Sequence, residues 1–354
     1  MTLVDRYLMR QVLVGMCIAG AVLLPLFSFL DLLEELDHVG EGSYGVGDAV
    51  RFVMLMIPRR LIQLAPFIAL LGNVIALGRL AATSELTAMR AAGVSVLRIA
   101  RASLSLGLGI VVMLAVLEQI VAPELQQRAL IQRSASLAQS AELGEGLGIW
   151  TRDQRHVLRI GIMGPHGEPL DIEIMTFDEA GGLQEYLRSP KAHIDARDQW
   201  TLQQVTRKHM EGGRLITRYM ASLVWKPFLS KDEIATLTRP PESLSPTQLY
   251  ELVEYLRATG QEFAAYELAL WRKLGGAVTL LAMLALSVPF AFGSLRSGLG
   301  QRLVLAALTG VGVYLLDQIV SNAGLLLNLD PIWVAMGPSA VLAIVSQQAL
   351  VRTR

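Results

Sequence analysis

The feature that most constrains this chain is its set of long apolar runs, three on each side of a polar central segment. Of its 354 residues, 53% are hydrophobic, and the formal net charge is zero. A soluble domain rarely concentrates apolar residues in blocks, and about 20 in a row suffice for a helix that spans a bilayer. The first run is longer than a signal-peptide core and lacks a cleavage pattern, so we expect it to be retained. The runs predict six transmembrane helices, at residues 12–33, 52–78, 96–122, 274–293, 303–327 and 332–350.

The central segment, residues 124–245, has a different pattern, in which apolar residues tend to recur at every second position. This alternation is typical of half-buried strands separated by turns. The chain is therefore predicted to be an α-helical membrane protein, with transmembrane helices in residues 1–123 and 246–354 and an inserted all-β, jelly-roll-like domain between them. Candidate strands lie at 156–160, 170–174, 201–205 and 222–225, and candidate turns at 164–167, 180–182 and 211–213.

A short helix is predicted near residues 84–93, in the loop between the second and third apolar runs. Ser84 can cap its N-terminus, Glu85 complements the helix dipole in the first turn, and Gly93 is a natural stop. An apolar stripe between them would let the helix dock into a groove on a partner, although a surface turn that only joins two helices is the alternative. The candidate docking residues are Glu85, Leu86, Met89, Arg90 and Gly93.

The distribution of charge predicts the orientation in the membrane. Most arginines at the ends of the apolar runs lie on one side, whereas the acidic residues between positions 34 and 48 lie on the other. By the positive-inside rule, both termini and the short helix are predicted to be cytoplasmic, and the β domain is predicted to be external. In a cell with two membranes, this places the chain in the inner membrane with its β domain in the periplasm.

The motifs of common enzyme classes are missing from the sequence. There is no G-x-x-x-x-G-K-[ST] motif for nucleotide phosphates, and no G-x-S-x-G or H-E-x-x-H motif for hydrolysis. The one cysteine and five histidines show no metal-ligand spacing, and the neutral charge does not favour nucleic-acid binding. We therefore expect a non-enzymatic protein without cofactor or metal. A docking helix on a membrane protein without a motor of its own indicates that an external motor supplies the energy.

Basic residues also occur on the predicted outer side, against the overall trend. They are Arg59, Arg60, Arg128, Arg133, Arg272 and Lys273. Because a charge at the bilayer centre costs about 2.5–3.5 kcal/mol, charged side chains near the spans suggest a function, and this group suits an anionic amphiphile. The alternative is that they snorkel and pair with carboxylates such as Glu35 and Glu267. Asp317, Gln318 and Asn322, near the outer end of the fifth run, either line the same cavity or tie helices together.

Short motifs spread along the whole chain carry a resemblance to a known family. They lie at residues 3–7 (LVDRY), 42–44 (GSY), 84–86 (SEL), 90–93 (RAAG), 121–123 (VAP), 294–297 (SLRS) and 316–319 (LDQI). Together with the order of three helices, β domain and three helices, they resemble the permease subunits of lipopolysaccharide export, the LptF/LptG family. The match is better to the LptG branch than to the LptF branch. Each motif alone is weak, but the set is specific.

The resemblance implies a function and a set of partners. LptG-like subunits pair with an LptF-like permease and with two copies of an LptB-like ATPase, and they extract lipopolysaccharide from the outer leaflet of the inner membrane. Their jelly roll continues into a periplasmic bridge of LptC-like and LptA-like domains, and their first and fifth helices form a lateral gate. Glu85 falls on the family's acidic coupling position. Arg59 and Arg133 fall on basic positions linked to lipopolysaccharide contact.

This chain departs from the family at the outer end of its first helix. Family members can carry lysines there, but residues 31–38 of this chain read DLLEELDH. The resemblance therefore does not carry phosphate contacts over to the first helix. Two alternatives to an LptG-like permease stay open at this point. One is the sister subunit LptF, and the other is an envelope scaffold whose β domain binds partners while its helices only anchor it.

Overall fold

The fold, taken from a computed structural model, is a helical bundle that carries an inserted antiparallel sheet. The structure describes residues 3–137, 149–152, 155–163, 168–178, 182–195, 199–211, 214–226, 240–258, 260–261, 263–292, 299–327 and 329–352. Its helices are α1 (Leu3–Leu36), α2 (Val46–Ala82), α3 (Glu85–Ala91), α4 (Val96–Val116), α5 (Ala122–Leu137), α6 (Pro246–Ala258), α7 (Ala264–Phe292), α8 (Leu299–Leu326) and α9 (Pro331–Arg352). Its strands are β1 (Ile149–Arg152), β2 (His156–Met163), β3 (Pro169–Phe177), β4 (Leu183–Ile194), β5 (Trp200–Glu211) and β6 (Arg214–Trp225).

Six helical segments of the described chain are long and apolar enough to cross a membrane, which confirms the prediction of three on each side of the β domain. They are Leu3–Leu36, Val46–Ala82, Val96–Arg133, Ala264–Phe292, Gly300–Gly324 and Pro331–Arg352. Most extend past their apolar runs, because flanking polar residues continue the same helical hydrogen bonding. The amphipathic helix α6 precedes the fourth membrane helix, and Ser245 caps it by accepting a hydrogen bond from the amide of Gln248.

The third membrane helix does not end at Pro123, where the sequence predicted its end. A π-helical turn, Leu117–Val121, joins α4 to α5, and the amide of Ala122 donates to the carbonyl of Leu117. This turn shifts the hydrogen-bond pattern just before Pro123, which has no amide hydrogen to donate. The helix therefore continues to Leu137, and β1 begins only at residue 149.

Helix α2 is the most buried of the six membrane helices and meets α1 backbone to backbone. A Cβ atom on Gly72 would lie 2.5 Å from the Cα atom of Met16, and one on Gly15 would overlap the carbonyl oxygen of Gly72. Small residues at such a crossing let two membrane helices pack at short distance. The close crossing holds the C-terminal part of α1 and the N-terminal part of α2 in a fixed relation, so charged residues from both can meet.

A polar network inside the apolar bundle ties α2 to α4 and α7. Asn73 donates to the hydroxyl of Ser287 at 2.6 Å, and Ser103 donates to the side-chain carbonyl of Asn73 at 3.1 Å. All three side chains are buried. A buried polar group without a hydrogen-bond partner is costly, so the network favours one relative position of the three helices.

The inserted domain is one antiparallel sheet in which each strand pairs with the next, in the order β1-β2-β3-β4-β5-β6. This confirms an inserted all-β domain, and the described strands follow a meander rather than the Greek-key order of a jelly roll. The sequence prediction missed β1, which has only four residues, and β4, which contains Pro190. A proline normally argues against a strand because it cannot donate to the ladder.

Buried side chains, mostly at alternate positions of the strands, form the core of the sheet. It comprises Leu158, Ile160, Ile172, Ile174, Leu187, Ala192, Trp200, Leu202 and Val205. The alternation of apolar residues that predicted the strands is therefore the alternation that buries one face of the sheet.

The three predicted turns lie wholly or partly outside the described residues. This holds for all of residues 164–167 and for parts of 180–182 and 211–213.

Candidate functional site

A large cavity lies at the end of the bundle next to the β domain. Its volume is about 1170 Å³, and α1, α2, α7 and α8 supply most of its wall. A 3₁₀ turn before α6, Pro241–Ser243, contributes two residues to the lining. Apolar lining residues include Phe27, Phe52, Phe67, Leu114, Leu280 and Met283. An apolar wall combined with charged groups can hold an amphiphile.

The cavity brings together most of the basic residues that the sequence singled out. The lining lysine and arginine residues are Arg59, Arg60, Arg133, Arg272 and Lys273. Carboxylates from several helices line the cavity as well, so groups of opposite charge lie among the cations. No group of three or more His, Cys, Asp or Glu side chains is placed to hold a metal ion in the described part of the chain.

Two cation–carboxylate pairs connect the C-terminal end of α1 to α2 and α5. Arg60 is paired with Asp31, and Arg133 is paired with Glu35. Glu35 is buried and also accepts a hydrogen bond from the hydroxyl of Tyr44 at 2.9 Å. Two of the acidic residues at the end of α1, Asp31 and Glu35, therefore act as counter-ions for this chain's own arginines.

Two further pairs involve neighbouring residues of α7. The ammonium group of Lys273 lies 2.8 Å from a carboxylate oxygen of Glu118, which belongs to the π-helical turn. Arg272 donates to Asp317 at 2.8 Å and to Gln318 at 3.3 Å. Asp317 thus does both things that the sequence allowed, because it lines the cavity and ties α8 to α7.

Arg59 differs from the other cavity cations in its partner. Its guanidinium group donates to the backbone carbonyl of Glu242, in the 3₁₀ turn before α6. Within the described residues, Arg59 has no carboxylate at ion-pair distance. The carboxylates of Glu118 and Glu242 act on its charge only from beyond ion-pair distance, whereas the other four lysine and arginine residues of the cavity are directly paired.

The structure does not bring Arg128 to the cavity, although the sequence grouped it with the ligand-binding residues. Its side chain is 62% exposed and pairs with Glu124 one turn away on α5. Arg128 and Arg133 are five residues apart, which is roughly 140° around a helix, so they cannot share a face. An exposed pair of this kind contributes little to stability.

The short predicted helix exists as α3, but its N-terminus differs from the prediction. Ser84 has a left-handed backbone, with φ of 61°, and its side chain makes no capping hydrogen bond. The tight turn between α2 and α3 imposes this backbone in place of the extended one that a capping residue normally has. The Glu85 carboxylate instead accepts from the hydroxyl of Tyr7 at 2.6 Å and from that of Thr83 at 2.9 Å.

These two hydrogen bonds favour the ionised form of the Glu85 carboxylate. The bond from Tyr7, and then the bond from Thr83, hold the pKa of Glu85 below its usual range. Both donors are neutral, and no ion pair to Glu85 occurs among the residues that the structure describes. The carboxylate therefore keeps its full negative charge in a fixed orientation, which suits a cationic partner.

The apolar stripe of α3 faces the bundle rather than solvent. Leu86 is buried in a cluster with residues of α1, α2, α4 and α7, and Met89 is half-buried against it. Leu86 therefore belongs to the core of the bundle, because an amphipathic helix on a surface turns its apolar stripe inward, and the contact of Leu86 and Met89 with a partner stays a prediction. Arg90 stays exposed, with its guanidinium 5.5 Å from the ring centroid of Phe292.

Gly93 ends the short helix, as the sequence predicted. Its φ is +88°, and its amide donates to the carbonyl of Arg90 at 2.9 Å. The amide of Val94 donates to the carbonyl of Met89 at 3.0 Å. These two bonds form a Schellman motif, in which a glycine at the left-handed position closes the helix.

Sequence reasoning missed Tyr7 as a site residue. The one signal for it was its place in the motif at residues 3–7, which was used only as a family match. The structure shows what that motif contacts, because Asp5 of the same motif pairs with Arg98 of α4 at 3.3 Å. The start of α1 is therefore tied both to α3 and to α4. The motif at 294–297 lies outside the described residues.

Comparison with known proteins agrees with this arrangement of helices and sheet. A family model described as "Lipopolysaccharide export system permease LptF/LptG" matches residues 6–352. The chain is 31% identical over 352 residues to the lipopolysaccharide export system permease protein LptG of Haemophilus influenzae, covering 99% of this chain and 98% of that protein. It is 28% identical over 351 residues to the protein of the same name from Escherichia coli K12, covering 98% of each. The chain therefore belongs to the LptF/LptG family of lipopolysaccharide export permeases.

Proposed function

We propose that this chain is the LptG-type permease subunit of an ATP-driven exporter, and that it extracts lipopolysaccharide from the outer leaflet of the inner membrane. The observation that carries the proposal is the cavity, whose apolar wall and cations suit an acylated, phosphorylated glycolipid. Both relatives named above are LptG rather than LptF proteins, which supports LptG over the sister subunit.

The phosphate contacts give the cavity its selectivity for this ligand. Acyl chains that leave a bilayer for an apolar cavity exchange one apolar environment for another, so their burial gains little. Each charge-assisted hydrogen bond to a phosphate contributes about 1.5–3 kcal/mol. The proposed ligand-contacting residues are Arg59, Arg133, Arg272 and Lys273, with Asp317 as a counter-ion that a phosphate replaces.

The proposed topology places α3 and both termini in the cytoplasm and the sheet in the periplasm. Arginines lie within α3, at position 90, and on either side of it, at positions 79, 98 and 101, and the positive-inside rule favours the cytoplasm for such a loop. The cavity then lies on the periplasmic side of the bundle, where the polar head of an outer-leaflet lipid is found.

The energy source is a partner ATPase, an LptB-like dimer shared with an LptF-like permease. The chain carries no nucleotide-binding motif of the P-loop type. We assign the docking role to Glu85 and to the exposed face of α3, which carries Thr87, Ala88 and Arg90. The charge of Glu85 would pair with a basic residue of the ATPase.

The two terminal strands of the sheet are the proposed contacts with LptC-like and LptA-like domains. In the described residues, β1 and β6 each have a neighbouring strand on one side only. Open edges of this kind accept an added strand from a partner. Photo-crosslinking residues at 150–152 and 218–226 should capture a periplasmic partner, whereas the same residues at 157–160, within the doubly paired β2, should not. Equal capture at both sets would contradict strand addition.

The decisive experiment is purification of the chain with its partners, followed by three measurements. Mass spectrometry should identify a second permease and an ATPase, lipid extraction should recover lipopolysaccharide, and lipopolysaccharide should change ATP turnover in liposomes. An envelope scaffold would leave the turnover of the ATPase unchanged. That result, with all subunits present, would reject the export function.

A further inference from the structure

The cations of the cavity differ in what must be removed before a phosphate can reach them. Four of them hold a carboxylate from another part of the chain, as the pairs with Asp31, Glu35, Glu118 and Asp317 show. A phosphate that approaches one of these four must displace a full negative charge. At Arg59 it has to displace only a neutral backbone carbonyl, that of Glu242.

The carbonyl that Arg59 holds belongs to a compact turn. The amide of Ser243 donates to the carbonyl of Pro240 at 2.8 Å, and the amide of Leu244 donates to that of Pro241 at 3.3 Å. Ser243 and Leu244 are fully buried, so the turn is anchored by its own packing as well as by Arg59. The Arg59 bond is the link from this turn to α2.

The same turn leads directly to the sheet. It continues into α6, whose Tyr255 packs against both the core of the sheet and the apolar cluster around Leu244. Gln119, in the π-helical turn, donates to the hydroxyl of Thr247 at 2.6 Å near the start of α6. The segment from residue 240 to 258 therefore lies between the cavity and the β domain and contacts both.

We propose that Arg59 is the residue that first receives the phosphate of the ligand, and that this exchange releases the Glu242 carbonyl and loosens the turn before α6. The proposal rests on the proposed function, since it takes a phosphorylated glycolipid as ligand. A guanidinium–phosphate bond is charge-assisted and bidentate, and it is stronger than the bond to a neutral carbonyl that it replaces. The paired cations among the proposed ligand contacts, Arg133, Arg272 and Lys273, follow, because each exchange there also releases a carboxylate.

This exchange makes the cavity and the β domain respond together. While the cavity lacks a phosphate, Arg59 holds the turn against α2. Once a phosphate occupies Arg59, α6 and the sheet are connected to the bundle by one bond fewer. The domain that would receive the glycolipid thus becomes more mobile when the glycolipid is present.

Hydrogen exchange measured by mass spectrometry tests the proposal on the full complex in nanodiscs. The probe is diphosphorylated lipid A, compared with the same glycolipid after removal of its phosphates. We expect the amides of residues 243–245 to exchange about ten- to a hundredfold faster with the phosphorylated probe, the factor for losing one charge-assisted hydrogen bond. The phosphate-free probe should give no acceleration.

Two variants with the same change on adjacent residues complete the test. Arg59→Met should give fast exchange at 243–245 with or without the probe, whereas Arg60→Met, which removes a carboxylate-paired cation, should keep the response to phosphate. Amides inside α6 and the sheet should stay protected in both variants, which shows that they fold. If Arg59→Met does not fold, the comparison of the two probes on the unchanged chain decides alone.

The experiment can reject the role of Arg59 separately from the proposed export function. Bound lipid A is quantified in the same nanodiscs. If the probe binds but exchange at 243–245 stays unchanged, or if Arg59→Met responds to phosphate as the unchanged chain does, the role of Arg59 is wrong and the export function stands. If no lipid A binds, both proposals are overturned.

Discussion

The two ends of the helical bundle hold charge in opposite ways. At the cavity, four cations are each paired with a carboxylate from another element of the chain. At α3, the described contacts of the Glu85 carboxylate are hydrogen bonds from neutral hydroxyls, those of Tyr7 and Thr83. Apart from Arg59, each cation at the first end is paired inside the chain, whereas the charge of Glu85 at the second end is oriented but not paired.

This difference indicates which kind of binding suits the cavity end and which suits the α3 end. A paired cation can bind a ligand only by breaking its own ion pair. The cost of breaking that pair offsets part of the binding free energy, so the ligand can leave again. An oriented, unpaired carboxylate gives up nothing when a cationic partner arrives, which favours stable docking. We therefore expect exchange at the cavity and durable attachment at α3.

The largest effect should come from reversing two charges at the cavity. The double change Arg59→Glu with Arg133→Glu removes two phosphate contacts of about 1.5–3 kcal/mol each and sets like charges against the ligand, and one of them against Glu35. Lipopolysaccharide recovered with the purified complex should fall by more than about a hundredfold. Delivery to the outer membrane should fall with it.

The matched control for this prediction is Arg128→Glu, on the same helix as Arg133. It makes the same change of charge at a side chain that is 62% exposed and away from the cavity. We expect normal lipid recovery from it. A double variant with as much bound lipopolysaccharide as this control would mean that the cavity cations only neutralise their own carboxylates.

The next effect should come from the charge of Glu85. Glu85→Gln keeps an acceptor for Tyr7 and Thr83 but removes the charge, whereas Glu85→Lys places a like charge against a basic partner. Recovery of the ATPase with the permease should fall in the order unchanged chain, Gln variant, Lys variant. Glu124→Lys is the control, since Glu124 is exposed at the other end of the bundle. Full recovery with the Lys variant would remove Glu85 from the docking surface.

The sequence predicted the layout of both ends but not their contacts. Hydropathy placed the six helices, because a membrane selects for long apolar runs whatever their neighbours. The cations of the cavity were also found, since charged residues beside apolar runs are conspicuous. Which carboxylate pairs with which arginine was not predictable, because Asp31 and Arg60 are separated by 29 positions and meet only through the crossing of α1 and α2.

The errors at α3 have the same origin in tertiary structure. A seven-residue helix gives too short a pattern to decide which face is buried, so the sequence did not predict that Leu86 joins the core. Ser84 has the right chemistry for a cap, but the turn from α2 forces a left-handed backbone there. Gly93 was predicted correctly because its role depends on the local backbone alone.

A third prediction separates the core role of Leu86 from a docking role. Leu86→Ala removes buried methyl groups and should lower the free energy of unfolding by about 2–5 kcal/mol. Met89→Ala should have a smaller effect, since Met89 is only half-buried. Thermal unfolding of the permease and its affinity for the ATPase are to be measured on the same samples. Lost affinity at unchanged stability would restore Leu86 to the docking surface.

The smallest effect should come from Tyr7→Phe, which removes one of the two hydroxyls that orient Glu85. That hydrogen bond is the largest cause of the lowered pKa of Glu85, so the variant should raise this pKa toward the ordinary glutamate range. Because the pKa is lowered in the folded chain, the tie between α1 and α3 is present above the unfolded pKa and is lost as the pH falls through the folded value. At neutral pH the ATPase should therefore still bind.

The direct measurement is the carboxyl ¹³C signal of Glu85 against pH, assigned by its loss in Glu85→Gln. The titration midpoint should lie below the ordinary value of about 4.3 in the unchanged chain and should move up in Tyr7→Phe. Thr83→Val removes the second donor, the smaller of the two causes, and should move the midpoint less. If neither substitution moves it, the hydroxyls do not set the state of this carboxylate, and the contrast between the two ends of the bundle loses its basis.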